Sequence, residues 1–341
     1  VTFTVIKSKF MKSRKVHPAW IAAAITWMTL VAAAGYRSAP SVLIVPLEEA
    51  FGWSRDQIAL AISVNILLYG LTAPFAAALM ERFTVRKVVM SALAAVSIGA
   101  FGTIFMNSPW QLVLLWGVVV GIGTGSMALV FAATIASRWF MQRRGLVTGA
   151  LTAAAATGQL VFLPALSSIA ISHGWQSVSI TIAIAAAAVI PLIWWGLNED
   201  PQAVGAKPYG APDDWQAPER LKGGAAKNAI YALREGAKHK DFWLLFGTFF
   251  ICGLTTNGLI GTHFIPAAHD HGMGEVVAAS LLALIGVFDV IGTLGSGYLT
   301  DRVDPRKLLI FYYGFRGVSL LLLPSLLFST VHPSTLVFVI F

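Results

Sequence analysis

Apolar residues in this 341-residue chain come in long unbroken runs, and charge is confined to the short stretches between them. Pro18 to Gly35, Gln57 to Met80, Val88 to Met106, Pro109 to Ser137, Gly145 to Ser172 and Gly174 to Asn198 contain no Asp, Glu, Lys or Arg. A helix rising about 1.5 Å per residue needs roughly 20 such residues to cross about 30 Å of hydrocarbon, so each run predicts a transmembrane helix. Beyond a polar stretch, Phe242 to Pro266, Val276 to Thr300 and Leu308 to Val331 predict three more, and Pro333 to Phe341 begin a tenth. The fold class expected is an all-α integral membrane protein with nine complete spans.

Composition agrees. Hydrophobic residues make up 57% of the chain and charged ones 12%, with a mean hydropathy of +0.73, outside the range of a soluble domain. The formal charge of +8 invites a nucleic-acid reading, but its placement argues against one. Lys7, Lys9, Lys12, Arg14 and Lys15, then Arg82, Arg86 and Lys87, then Arg138, Arg143 and Arg144, then Arg302, Arg306 and Lys307 fall in alternate connections. Positive charge marks the cytoplasmic side, so the amino terminus is expected there, in an inner membrane crossed many times. The basic Lys7 to Lys15 segment feeds a span too long for a signal peptide, so the first helix is expected to remain. Cys252 is the single cysteine, which rules out a disulfide within the chain and any cysteine metal site. No metal or cofactor is expected. Neither a His-Glu-x-x-His nor a Gly-x-Ser-x-Gly motif occurs, so an enzyme is not expected.

Pro201, Pro208, Pro212 and Pro218 punctuate a charged, glycine-containing segment, which reads as a cytoplasmic linker over 199–240. It divides a six-helix unit, 1–198, from an incomplete one, 241–341. Across that divide Ala77-x-x-x-Glu81-Arg82-x-x-x-Arg86-Lys87 recurs as Gly297-x-x-x-Asp301-Arg302-x-x-x-Arg306-Lys307. The two copies close the second and eighth spans, so the chain reads as an internal repeat.

The acidic-Arg-x-x-x-Arg-Lys loop resembles the signature of the major facilitator superfamily, and the resemblance covers essentially the whole chain. Ala77 and Thr84 stand where that family usually has glycine. Tyr36-Arg37-Ser38, Phe51-x-Trp53-Ser54, Trp139-Phe140-x-x-Arg143-Arg144-Gly145 and Gly174-Trp175 resemble bacterial relatives of monocarboxylate porters and oxalate-formate exchangers. The resemblance implies two pseudo-symmetric bundles and twelve helices, so the chain would stop inside helix ten and be truncated in its second half. It implies that Glu81, Arg82, Arg86, Asp301, Arg302 and Arg306 are gating residues; helix-end capping is the plainer alternative.

Ionisable groups inside spans cost about 2.5 to 3.5 kcal/mol at the helix centre on insertion scales and so point to function. Arg37, Asp289 and Arg316 are such groups. Arg37 falls where the resembled porters carry a basic residue, which implies a grip on a substrate carboxylate through a planar fork of donors; the alternative is an arginine snorkelling to the outer interface. Asp289 falls where they carry an acidic residue. It is expected to couple a proton with Arg316, or else to form a permanent ion pair with it. Tyr36, Asn65, Tyr69, Gln159, Asn257 and His263 complete the candidate substrate site, with packing roles as the alternative. Gly117-x-x-x-Gly121-x-Gly123-x-Gly125 lies in an apolar helix without a following Gly-Lys-Ser, so it reads as close helix packing.

The function expected is secondary transport of a small organic anion, a monocarboxylate, by proton symport or anion exchange with alternating access. Its partners would be that anion, a proton or counter-anion, and the bilayer. Carriage of another metabolite or a drug, and a non-transporting membrane sensor with the same fold, are the alternatives.

Overall fold

The computed structural model describes residues 17–127, 129–216, 225–270, 272–300 and 303–327. Nearly all of them are helical: α1 (Pro18–Phe51), α2 (Arg55–Arg82), α3 (Val85–Gly102), α4 (Pro109–Trp139), α5 (Arg144–Gly196), α6 (Ala225–Gly236), α7 (Lys240–Asp270), α8 (Glu275–Thr300) and α9 (Pro305–Leu327). Seven helical segments among the described residues are long and apolar enough to cross a membrane. Asp301, Arg302 and the start of the expected tenth helix lie outside the described residues.

Local chemistry sets the boundaries. His17 caps α1 by accepting from the Ala19 N–H, and Gly52, at φ 68, closes the other end. Ser54 and Gln57 form a reciprocal capping box that starts α2 three residues later. α1 continues well past the predicted limit at Gly35, through Arg37 and two internal prolines, Pro40 and Pro46. A charged residue ends an apolar run in the sequence but does not end a helix when it points into a cavity.

The 53 residues of α5 would span about 80 Å as one rod. Gly174, at φ 80 and ψ 169, breaks it into two arms. Phe162 lies against Gly35, and Trp175 reaches the Phe51 ring at 5.4 Å. The arm 144–173 therefore runs alongside α1 in the same direction. Gly196, at the far end of the second arm, returns to Ile25 near the start of α1. A β-carbon at Gly174 would be strained at that φ, so glycine is required at the reversal.

The glycine stripe in α4 does what its spacing predicts. A β-carbon at Gly117 would sit 3.1 Å from the Ala61 carbonyl, one at Gly121 3.1 Å from Asn65 Cα, and one at Gly125 2.7 Å from the Tyr69 carbonyl. α4 therefore lies directly on the Ala61, Asn65, Tyr69 ridge of α2, turn against turn.

The segment after α5 folds back onto these helices. The Tyr209 N–H donates to the Trp139 carbonyl at 2.8 Å, and the N–H groups of Met141 and Gln142 donate to the Tyr209 carbonyl at 3.0 and 3.2 Å. The Tyr209 ring meets His17, Trp20 and Phe140 at 5.5, 5.7 and 5.9 Å. Arg138 pairs with Asp200 at 3.4 Å, and α6 packs against α2.

Candidate functional site

The first cavity lies where α1, α2 and α5 meet α7 and α8. Arg37, Asn65, Tyr69 and Gln159 line it from the first side; Gly261, Thr262 and Leu282 line it from the second. Pro40, Ile62, Ile66 and Leu163 supply apolar wall. Its volume of about 50 Å³ is room for roughly three to five waters at about 10 to 15 Å³ each by the same measure.

Arg37, Tyr69 and Asn65 are each held by a neighbour. Arg37 Nη1 donates to the Tyr69 hydroxyl at 3.3 Å, and the guanidinium carbon stands 4.9 Å from the centre of the Tyr69 ring. One aromatic side chain thus offers both a lone pair and a π face to the cation. Asn65 Nδ2 donates to the Trp116 carbonyl at 2.7 Å, which fixes the amide. The glycine stripe makes this possible, because only a close α2–α4 approach brings the Trp116 carbonyl within reach of Asn65.

The remaining candidates fall elsewhere. Tyr36 is fully buried in the hydrophobic core, with no hydrogen-bond partner for its hydroxyl among the described residues, and does not line the cavity. His263 is exposed and off the cavity wall, although its neighbours Gly261 and Thr262 are on it. The Asn257 side chain lies outside the description; its backbone belongs to a π-helical turn, Leu254–Ile260. Arg316 Nε donates to Thr255 Oγ1 at 2.9 Å and Nη2 donates to Thr256 Oγ1, so the wide turn presents both hydroxyls to one guanidinium. Asp289 accepts from Thr293 Oγ1 at 3.4 Å. No ion pair joins Asp289 to Arg316 among the described residues.

Of the proposed gating residues, Arg86 Nη1 donates to the Trp194 carbonyl at 3.3 Å and lies 5.9 Å from that ring's centre, tying the α2–α3 turn to the end of α5. The Arg82 guanidinium stacks on Phe83 at 5.2 Å. Glu81 is exposed, and Arg306 belongs to the first turn of α9, where Asp304 caps its N–H. In the turn itself Thr84 takes φ 121.

Sequence reasoning missed a cluster at the opposite end of these helices. Arg55 Nε donates to Glu48 at 2.9 Å, and its Nη1 and Nη2 both reach Asp270, the latter pair at 2.7 Å. One guanidinium thereby clasps α1, α2 and α7. Glu48 and Arg55 flank a visible turn, but no local signal marks a partner 215 positions away.

A family model described as Major Facilitator Superfamily matches residues 25–341. The chain belongs to the major facilitator superfamily. Among curated relatives of this major facilitator chain, an uncharacterized MFS-type transporter, YcxA of Bacillus subtilis (strain 168), is 28% identical over 90% of this chain and 72% of its own length. Monocarboxylate transporter 11 of Mus musculus is 26% identical over 89% of this chain and 64% of its own, and a gallate transporter of Pseudomonas putida is 23% identical over 89% and 72%. The chain thus spans 64 to 72% of the length of these relatives. The inward open conformation of the xylose transporter XylE from E. coli superposes with a TM-score of 0.61 at 14% identity, covering 94% of this chain and 79% of that one. That likeness concerns the fold. The family and these relatives are transporters, and the apolar helices are those of a membrane-embedded member.

Proposed function

We propose that the chain carries out secondary transport of a small organic anion, a monocarboxylate, across the bacterial inner membrane with its amino terminus in the cytoplasm. The observation that carries this reading is a permanent cation, Arg37, on the wall of a cavity shared by helices from both sides of the linker. Tyr69 positions the guanidinium, and two amides, Asn65 and Gln159, stand on the same wall. A carboxylate docked on Arg37 would exchange the cation's water for two charge-assisted hydrogen bonds. The names of the monocarboxylate and gallate transporters support the same solute class. Transport follows from rocking of two bundles, 1–198 and 241–341, about that cavity, with 199–240 between them.

Asp289 is the proposed proton carrier. In support, among the described residues Asp289 accepts from the neutral Thr293, while Arg316 spends hydrogen bonds on Thr255 and Thr256. A carboxyl without a fixed cation can gain and lose a proton as the neighbouring charge changes. Glu81, Arg82, Arg86, Asp301, Arg302 and Arg306 are read as the residues that hold one face of the cycle.

Uptake of radiolabelled small carboxylates into proteoliposomes, with and without an inward proton gradient, tests the reading. The protein and its Arg37→Ala, Arg37→Lys and Asp289→Asn variants are compared. Saturable uptake of a carboxylate that Arg37→Ala abolishes and Arg37→Lys partly restores is expected, with gradient stimulation lost in Asp289→Asn. Uptake unaffected by Arg37→Ala refutes the anion site.

A further inference from the structure

A second cavity of about 400 Å³ opens between the end of α2, the first half of α3 and the middle of α4, and shares no lining residue with the Arg37 cavity. Its size is that of a small-molecule site, yet its shape is a trough. Ala92, Gly123 and Ser126 are buried and form the floor. A β-carbon at Gly123 would lie 2.8 Å from Val96 and 2.9 Å from the Ala92 carbonyl, so the floor is as deep as close helix contact allows. The walls, Leu79, Phe83 and Ile122, are exposed apolar side chains.

One charge stands on the rim. Lys87 lines the trough in the first turn of α3, where the chain re-enters the membrane after the α2–α3 turn. Its neighbours are committed: Arg82 to the Phe83 ring, Arg86 to Trp194. The Lys87 ammonium has no hydrogen-bond or ion-pair partner among the described residues.

We infer that this trough holds one anionic diacyl phospholipid, with an acyl chain on the Ala92, Gly123, Ser126 floor and its phosphate on Lys87. Apart from Ser91 and from Ser126, whose hydroxyl is spent on the Ile122 carbonyl, the trough is apolar, and it is charged at the membrane boundary, which matches the two ends of such a lipid. A neutral apolar helix seated there would cover Lys87 and leave its charge unmatched. A free phosphate would find the lysine but no use for the trough.

Lipid retention decides it. The full chain is purified in detergent, equilibrated with equal phosphatidylglycerol and phosphatidylcholine, washed, and the retained lipids counted by mass spectrometry. One juxtamembrane lysine is worth about five-fold in affinity for an anionic lipid. Phosphatidylglycerol should therefore exceed phosphatidylcholine by about that factor. Lys87→Gln should erase the preference, while Lys240→Gln, at the exposed start of α7, should keep it. Ser91→Trp, which fills the trough from its wall, should lower retention of both lipids, and glycerol 1-phosphate should not displace them. Equal retention of the two lipids by the unaltered chain overturns the inference, as does a preference that survives Lys87→Gln. Displacement by glycerol 1-phosphate would make it a bare phosphate contact. Crosslinking of two copies through Ser91→Cys in a Cys252→Ser background would place a second protein in the trough and overturn it too.

Discussion

Thr84 carries a conformation that its side chain opposes. At φ 121 and ψ 140 it occupies backbone space that glycine enters freely and a β-branched residue does not. Strain of this kind costs on the order of 1 to 3 kcal/mol. Thr84 offsets part of it by capping α3, its hydroxyl accepting from the Lys87 N–H at 3.2 Å. Thr84→Gly removes the strain, loses only a few tenths of a kcal/mol as a cap, and gives back about 0.4 to 1 kcal/mol in unfolded-chain entropy. The net expectation is about 1 kcal/mol of stabilisation. Thr84→Ala keeps much of the strain and loses about 1 kcal/mol of capping, so it should destabilise by about that amount. Membrane proteins commonly unfold irreversibly, so the two variants are ranked against the unaltered protein by detergent thermal scans at one fixed rate, read through a thiol-reactive dye on Cys252. The expected order is glycine above threonine above alanine. Alanine equal to or above glycine would refute the strain argument, because the two differ chiefly in tolerance of positive φ.

Two further perturbations test the packing beneath the site and the linker contact. Gly125→Val would drive a β-carbon to 2.7 Å from the Tyr69 carbonyl; overpacking of this kind costs about 1 to 3 kcal/mol, so the thermal transition should fall and KM for the transported solute should rise as Tyr69 leaves Arg37. An unchanged transition would mean that α2 and α4 are not in close contact. His17 is held below its ordinary value of about 6.5 by burial. The unfolded chain then binds its proton more readily than the folded one, so His17's contribution is complete above about pH 6.5 and declines as pH falls below it. Thermal scans between pH 7.5 and 5 should show a steeper loss for the unaltered protein than for His17→Asn, which keeps a capping oxygen; parallel curves would rule the contribution out.

What could be read from the sequence divides by the range of the interaction. Asn65 and Tyr69 reach one cavity wall because they lie four apart on α2, and Gly117, Gly121 and Gly125 present one face by the same arithmetic. These follow from helical period alone. Seven segments long and apolar enough to cross a membrane, against the nine expected, follow from charge-free length, except that Arg37 hid the true extent of α1. Arg55 joins Asp270 across the whole fold, and no periodicity encodes that meeting. The wide turn at Leu254–Ile260 turns Thr255 and Thr256 together toward Arg316, a departure from regular helix that neither propensity nor spacing reveals. Tyr36 shows the converse: adjacency to Arg37 in sequence places it about 100° away around the helix, in the core and off the cavity wall.

The anchoring of Tyr209 changes what the proposed linker, 199–240, would be mechanically. Forty-two free residues would wander over roughly 36 Å, at 5 to 6 Å times the square root of their number. Here residues 200–210 are stitched to α1 and α4, and α6 rests on α2, so the helices beginning at Lys240 hang from the turn that follows Gly236. A leash that short keeps the two sides at a high local concentration, in the millimolar range for short flexible linkers. Their shared interface need not then be strong enough to hold them together by itself. In the proposed rocking cycle it can be weak enough to part and re-form at every turn without the partners ever being lost to one another.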